Sequence, residues 1–288
     1  MTSTLAGQLG KFGVWRGTTQ ASPELAAELE RLGYGALWLG GSPAADLEIV
    51  DRLLDATTAL TVGTSIVNMW QSDPVTVAHS YERIEDAFPG RFVLGVGAGH
   101  REATQEYASP YDTLARYVDR LEAARVPLER VVLAALGPRV LTLAADRTGG
   151  AIPYLVPPEH TRQARQILGP DKLLAPEHKV VLDPDPSAAR ELGGNRVRMP
   201  YLGLVNYTSN LRRLGYSDAD LSGNGSDRLI DAVVAHGTAE QVAARLTGHL
   251  DAGADHVCVQ LLTRSGTDPV AQYAELADAL GLAAPLGA

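Results

Sequence analysis

Thiols are nearly missing from this chain: Cys258 is its single cysteine among 288 residues. That excludes an internal disulfide framework and any metal centre built from several thiolates of one chain. Lysine is almost as scarce, with Lys11, Lys172 and Lys179 the only ones among 25 basic residues. Acidic residues outnumber basic ones 34 to 25, the net charge is −9, and no basic stretch interrupts that background. Nucleic-acid binding needs clustered cations, so no nucleic-acid partner is expected. No apolar run approaches the ~20 residues that span a bilayer. The start, Met1-Thr2-Ser3-Thr4-Leu5-Ala6-Gly7-Gln8-Leu9-Gly10, has neither the cationic beginning nor the long apolar centre of a signal peptide. A cytoplasmic protein without a membrane partner is the expectation. No H-E-x-x-H or comparable ligand spacing occurs, so no metal is expected either. What remains, 45% hydrophobic and 20% charged residues, is the composition of a globular protein with a sizeable core.

At roughly 150 residues per domain the length suggests about two domains, but single α/β barrels of about 250 residues are common. The patterning favours one domain over residues 1–288. Short apolar runs alternate with helical patterns, as βα units around a parallel sheet do. Eight runs stand out: Phe12–Trp15, Ala36–Leu39, Leu60–Asn68, Phe92–Gly97, Val131–Leu136, Ala151–Val156, Lys179–Leu182 and His256–Leu262. Between them lie helices with explicit start signals. Ser22 precedes Pro23, Asp73 precedes Pro74, and Thr238-x-x-Gln241 spells a capping box. Asp268-Pro269 opens the last. Val77, Tyr81, Ile84 and Phe88 follow helical spacing up to Pro89-Gly90. Eight strands alternating with helices predict a (β/α)₈ TIM barrel, with a doubly wound sheet as the alternative. The interval from Asp183 to Asp255 is too long for one crossover, so an insertion is placed at about 184–254, before the last strand and over the catalytic mouth.

Gly95-Val96-Gly97-Ala98-Gly99-His100 ends the fourth run. A dinucleotide fingerprint needs its third glycine one residue later and a helix behind it. Glycines at a strand end also let a flat ring approach the backbone, which would put His100 at the barrel mouth. Ala134-Ala135-Leu136-Gly137-Pro138-Arg139 runs through a glycine into a helix start, where free N–H groups and the helix dipole suit a phosphate. His79, on the helix after Asp73-Pro74, reads as a packing residue, His236 and His249 sit on helical patterns and read as surface or packing residues, and Cys258 reads as a small buried hydrophobe.

The whole chain resembles the luciferase-like monooxygenase superfamily of (β/α)₈ barrels that use a flavin or the deazaflavin coenzyme F420. The resemblance is carried by Leu9-Gly10-Lys11-Phe12-Gly13-Val14-Trp15, by Ala27–Trp38, by Pro89-Gly90-Arg91-Phe92-Val93-Leu94-Gly95-Val96-Gly97, and by Asp251-Ala252-Gly253-Ala254-Asp255-His256-Val257. Val132–Asp146, Pro153–Thr161 and Asn210–Gly215 are similar to an actinobacterial subgroup assigned to the deazaflavin.

Carried over residue by residue, the resemblance implies that Ser65 and Ile66 back the ring, with a non-prolyl cis peptide near their bond. Asn68 would touch the ring edge, and Leu136, Gly137, Pro138 and Arg139 would hold the phosphate. His100 would handle a proton, its neutral imidazole being suited to that role. Trp15, Gly41, Trp70 and Tyr154 would line the substrate pocket. The implied activity is hydride transfer between F420 and a small-molecule substrate, in a homodimer. FMN-dependent monooxygenation and non-catalytic cofactor binding are the alternatives. One departure stands out: Leu39-Gly40-Gly41-Ser42 carries no ionisable group where relatives commonly have an acidic residue or a histidine. Either His100 acts alone, or Tyr154 or the Glu159-His160 pair substitutes, or the chemistry has been lost.

Overall fold

Strands that are apolar on consecutive residues are buried on both faces, and here they form one parallel sheet wrapped by helices. The computed structural model describes residues 5–99 and 109–282. The strands are β1 (Phe12–Gly17), β2 (Ala36–Gly40), β3 (Thr61–Thr64), β4 (Val67–Asn68), β5 (Phe92–Gly97), β6 (Val131–Leu133), β7 (Gly150–Ala151), β8 (Leu173–Leu174), β9 (Glu177–Leu182), β10 (Val234–Gly237) and β11 (Val257–Leu261). Each pairs in parallel with its neighbours in the order β10-β9-β11-β1-β2-β3-β5-β6-β7-β8, with β4 added beside β5.

The sheet closes on itself through one bent stave. Pro176 lacks an N–H and so interrupts the ladder between β8 and β9. On one side of that stave, Ala175 N donates to Ala151 O and Glu177 N to Pro153 O; on the other, Asp255 N donates to Leu174 O and Cys258 N to Pro176 O. The predicted barrel is therefore observed, with β10 paired to β9 outside the ring.

Several predicted strands differ in extent. Ala151–Val156 leaves the sheet after Ala151, because Pro153 cannot donate to a ladder and Leu155 has a φ of 55°. Leu60–Asn68 is divided into β3 and β4 by a cis peptide bond at Ser65-Ile66. β8 carried no run long enough to be recognised. His236, read as helical, lies in β10.

Helix starts follow the sequence signals. Ser22 caps α2 (Pro23–Arg31), after the short α1 (Leu5–Leu9), and α3 (Glu48–Asp55) follows. Asp73 caps α4 (Pro74–Ala87) and Ser109 caps α5 (Pro110–Ala123). Behind β6 and β7 come α6 (Pro138–Arg147) and α7 (Pro158–Leu168). Residues 184–254 hold α8 (Pro186–Arg198), α9 (Val205–Arg213), α10 (Asp227–Val233), β10 and α11 (Ala239–Asp251), the last opened by a complete Thr238/Gln241 capping box. α12 (Val270–Leu280) closes the fold. Besides the main core between sheet and helices, a second apolar cluster joins Leu155 and Val181 to Val197, Tyr201, Leu204 and Leu211, and this cluster seats α8 and α9 against the barrel. No helix among the described residues is long and apolar enough to cross a membrane.

Candidate active site

In a parallel barrel every strand ends on the same face, so residues distant in sequence converge there. Trp15 on β1, Ser65 and Ile66 after β3, Asn68 on β4, Gly97 on β5, Leu136 beyond β6, Tyr154 beyond β7 and Gln260 on β11 all stand at or near these ends.

Three groupings emerge. In the first, Trp15 Nε1 donates to Ser65 Oγ at 3.0 Å, and the Trp15 and Tyr154 rings lie 5.6 Å apart. Tyr154 Oη donates to Gln260 Oε1 and accepts from Tyr201 Oη, each at 2.8 Å. Beneath them Lys179 Nζ lies 3.9 Å from the Tyr154 ring centroid and 3.1 Å from Glu177 Oε1. Glu177 and Lys179 alternate on β9, so both point into the barrel while His178 points out toward α11. Both charges are fully buried. Burial drives each toward its neutral form: the Glu177 carboxyl goes up and the Lys179 ammonium goes down to about 8, each opposed by its partner. Burial also raises the Tyr154 hydroxyl well above its ordinary value.

In the second grouping, Asn68 is buried and its Oδ1 accepts from Trp70 N at 3.0 Å. Its amide nitrogen faces Gly99, where a Cβ would come within 2.6 Å of Nδ2, and a Cβ on Gly97 would meet Ile66 Cγ1 at 3.1 Å. The glycines thus leave backbone open beside Ile66 and Asn68. Trp70 Nε1 is buried without a hydrogen-bond partner among the described residues.

The third is the turn before α6. Gly137 is the N-cap residue and supplies no side-chain acceptor, so the first N–H groups of the helix stay open. Arg213, arriving from α9, puts Nη2 3.7 Å from where a Cβ on Gly137 would sit. His160 Nε2 bonds the Leu136 carbonyl at 2.9 Å, which makes it the protonated nitrogen; Nδ1 is buried without a partner, and burial holds the imidazole below its ordinary pKa. Pro138 opens α6. Arg139 lies over the Tyr111 ring, 4.2 Å from its centroid.

Not every predicted residue joins these groups. Gly41 has a φ of 81°, and among the described residues a Cβ built there would meet nothing nearer than the Thr18 amide, at 4.0 Å. His100 lies outside the described residues. His79 is exposed on α4 and does not pack. His249 is fully buried, between Thr161 Oγ1 at 2.7 Å and His178 Nδ1 at 2.9 Å. Cys258 is buried as expected. Sequence reading missed the Glu177–Lys179 pair, although two charges at i and i+2 opening an apolar strand mark one inward face. It also missed Arg213, which lies inside a segment quoted only for its resemblance.

The geometry fits a flat ring with a phosphate: open glycine backbone beside Ile66 and Asn68, an orphaned indole N–H, and an uncapped helix start with an arginine at hand.

Comparison with known proteins agrees with the architecture. Residues 7–126 match the luciferase-like monooxygenase family. The chain is similar to a 4-hydroxyprotoasukamycin monooxygenase of Streptomyces nodosus subsp. asukaensis, 29% identical over 108 residues. That match covers 34% of this chain and 29% of the relative's length. Among solved structures, an F420-dependent secondary alcohol dehydrogenase in complex with an F420-acetone adduct superposes with a TM-score of 0.70 at 16% identity, over 94% of this chain and 99% of that one. The FMN-bound oxygenating constituent of 3,6-diketocamphane monooxygenase from Pseudomonas putida gives 0.68 at 13% identity, over 96% and 99%. The likeness to these structures is one of fold.

Proposed function

We propose that this chain, whose residues 7–126 match the luciferase-like monooxygenase family, is a coenzyme F420-dependent oxidoreductase acting on a small organic substrate. The observation that carries this reading is the phosphate-ready turn at Gly137, with Arg213 beside it, on the same barrel face as the Ile66–Asn68 cleft. The similarity of Val132–Asp146, Pro153–Thr161 and Asn210–Gly215 to a subgroup assigned to the deazaflavin supports the choice of cofactor.

When bound, the deazaflavin supplies a carbon that gives or takes a hydride. The chain's own residues do the rest. Ser65 and Ile66 form the wall behind the ring, and Asn68 meets its edge. Gly137, the first amides of α6 after Pro138, and Arg213 hold the phosphate, with Leu136 fixed by His160. Arg139 steadies the turn through Tyr111. Trp15 and Tyr154 exclude water from the substrate side. His100, directly after Gly99 in sequence, is the proposed proton-handling group, and a working form that is a cytoplasmic homodimer completes the proposal.

The test is a fluorescence titration of the purified protein with oxidised F420 and with FMN at two salt concentrations. Micromolar or tighter binding of F420, at least tenfold tighter than FMN, is expected, and binding should weaken at higher salt. The similarity to a monooxygenase favours a second reading, FMN-dependent oxygenation. Preference for reduced FMN with oxygen uptake would establish it. F420 binding without hydride exchange to any substrate would leave a cofactor-binding protein.

A further inference from the structure

We propose that a cavity of about 430 Å³ between the ends of β1 and β11 and helix α8 binds a small organic anion with an apolar body, and that Arg16 and Arg196 receive its charge. This rests on the reading above and assigns its substrate class. The cavity lies at the catalytic face, since Trp15 and Gln260 line it and also belong to the Trp15–Tyr154–Gln260 grouping.

Charge selects the ligand. Several arginines of this acidic chain pair with carboxylates, as Arg83 does with Asp51, Arg165 with Asp255 and Arg190 with Asp231. Among the described residues neither Arg16 nor Arg196 forms an ion pair, and no carboxylate lines the cavity. Glu177, whose charge Arg196 feels, is already bonded to Lys179 Nζ and to Leu155 N. Arg16 Nε is buried with no hydrogen-bond partner among the described residues; its Nη1 lies 3.5 Å from Leu261 O, and the guanidinium is also within reach of the buried Tyr273 hydroxyl. A desolvated guanidinium N–H left unmatched is costly, and a bound anion removes that cost. Gln260 is buried, its Oε1 accepts from Tyr154, and its NH2 group is left to donate. Leu192, Leu262 and the Trp15 ring supply an apolar wall. Two cations and an amide donor against that wall fit a carboxylate or phosphate on an aryl or alkyl body better than a neutral molecule.

Benzoate, phenyl phosphate and the neutral benzamide serve as probes, titrated calorimetrically into the full chain. The proteins compared are wild type, Arg16→Gln, Arg196→Gln, and Arg228→Gln as a control lining a different cavity. At least one anion is expected to bind at least tenfold more tightly than benzamide, and to lose at least tenfold in the Arg16 and Arg196 variants but not in the control. Arg196 is exposed on α8, so its variant keeps the fold and remains informative if Arg16→Gln does not. Equal binding of benzamide, unchanged affinity in Arg196→Gln, or binding of neither anion would overturn the proposal. F420 and FMN titrations of the same proteins separate the two readings, because failure of cofactor binding leaves the anion result standing.

Discussion

The indole of Trp15 occupies the space into which a side chain on residue 40 would project: a Cβ on Gly40 would overlap the six-membered part of the ring. At position 40 an ionisable side chain is sterically excluded, because the aromatic ring and a longer residue 40 cannot share that space. Gly40→Ala should push Trp15 off Ser65, cost about 1–3 kcal/mol as overpacking does, and weaken cofactor binding. Gly41→Ala has room, and should cost only the left-handed penalty of about 1 kcal/mol. Urea unfolding of both variants checks this; equal costs would contradict it.

Arg213 reaches the α6 turn from α9, 76 positions beyond Gly137 in the chain. A charge-assisted contact to phosphate is worth about 1.5–3 kcal/mol, so Arg213→Ala should weaken binding of the phosphate-bearing cofactor at least tenfold. It should also flatten the salt dependence. Arg139→Ala should have a smaller effect, since its guanidinium lies on Tyr111. Titration at low and high salt distinguishes the two.

Glu177 and Lys179 are buried together without exposure to water. Lys179→Met removes one partner and strands a carboxylate that already accepts from Leu155 N. Breaking such a pair costs about 3–5 kcal/mol. Combining it with Glu177→Gln should restore much of that, so the double variant should be more stable than Lys179→Met alone. A double-mutant cycle of denaturation midpoints gives the answer.

His256 must stay neutral: Nε2 accepts from Trp38 Nε1 at 3.0 Å while Nδ1 donates to Gly10 O at 2.8 Å. Burial lowers its pKa from 6.5 to about 4, and lowers His249 to about 3. Below the unfolded value near 6.5 the unfolded chain takes up protons that the folded chain refuses, so stability falls as pH drops from there toward about 4. For His256 alone, going from about pH 7.5 to about pH 5 should cost about 2 kcal/mol. Glu177, shifted upward, pulls the other way at the acid end. Denaturation across this range, with NMR titration of the His256 ring, tests the direction. Stability that rises on acidification would refute the assignment.

What the sequence determined by itself was local. Ser22, Asp73 and the Thr238/Gln241 box start helices where their spacing says, because a cap acts on amides within three residues. Continuous apolar runs read as strands buried on both faces, and the barrel followed from their alternation with helices. The Ser65-Ile66 bond was placed by resemblance, and it is cis. Other features depended on residues far apart in the chain. The bent stave at Pro176 gains its partners from Ala151, Pro153, Asp255 and Cys258. Trp15 meets Ser65 across 50 positions and Tyr154 meets Gln260 across 106. Arg213 approaches Gly137, and Arg16 and Arg196 share one cavity, only because the barrel closes and α8 and α9 pack on its mouth. Periodicity encodes which face of an element is buried but not which element it is buried against, and that choice belongs to the tertiary structure.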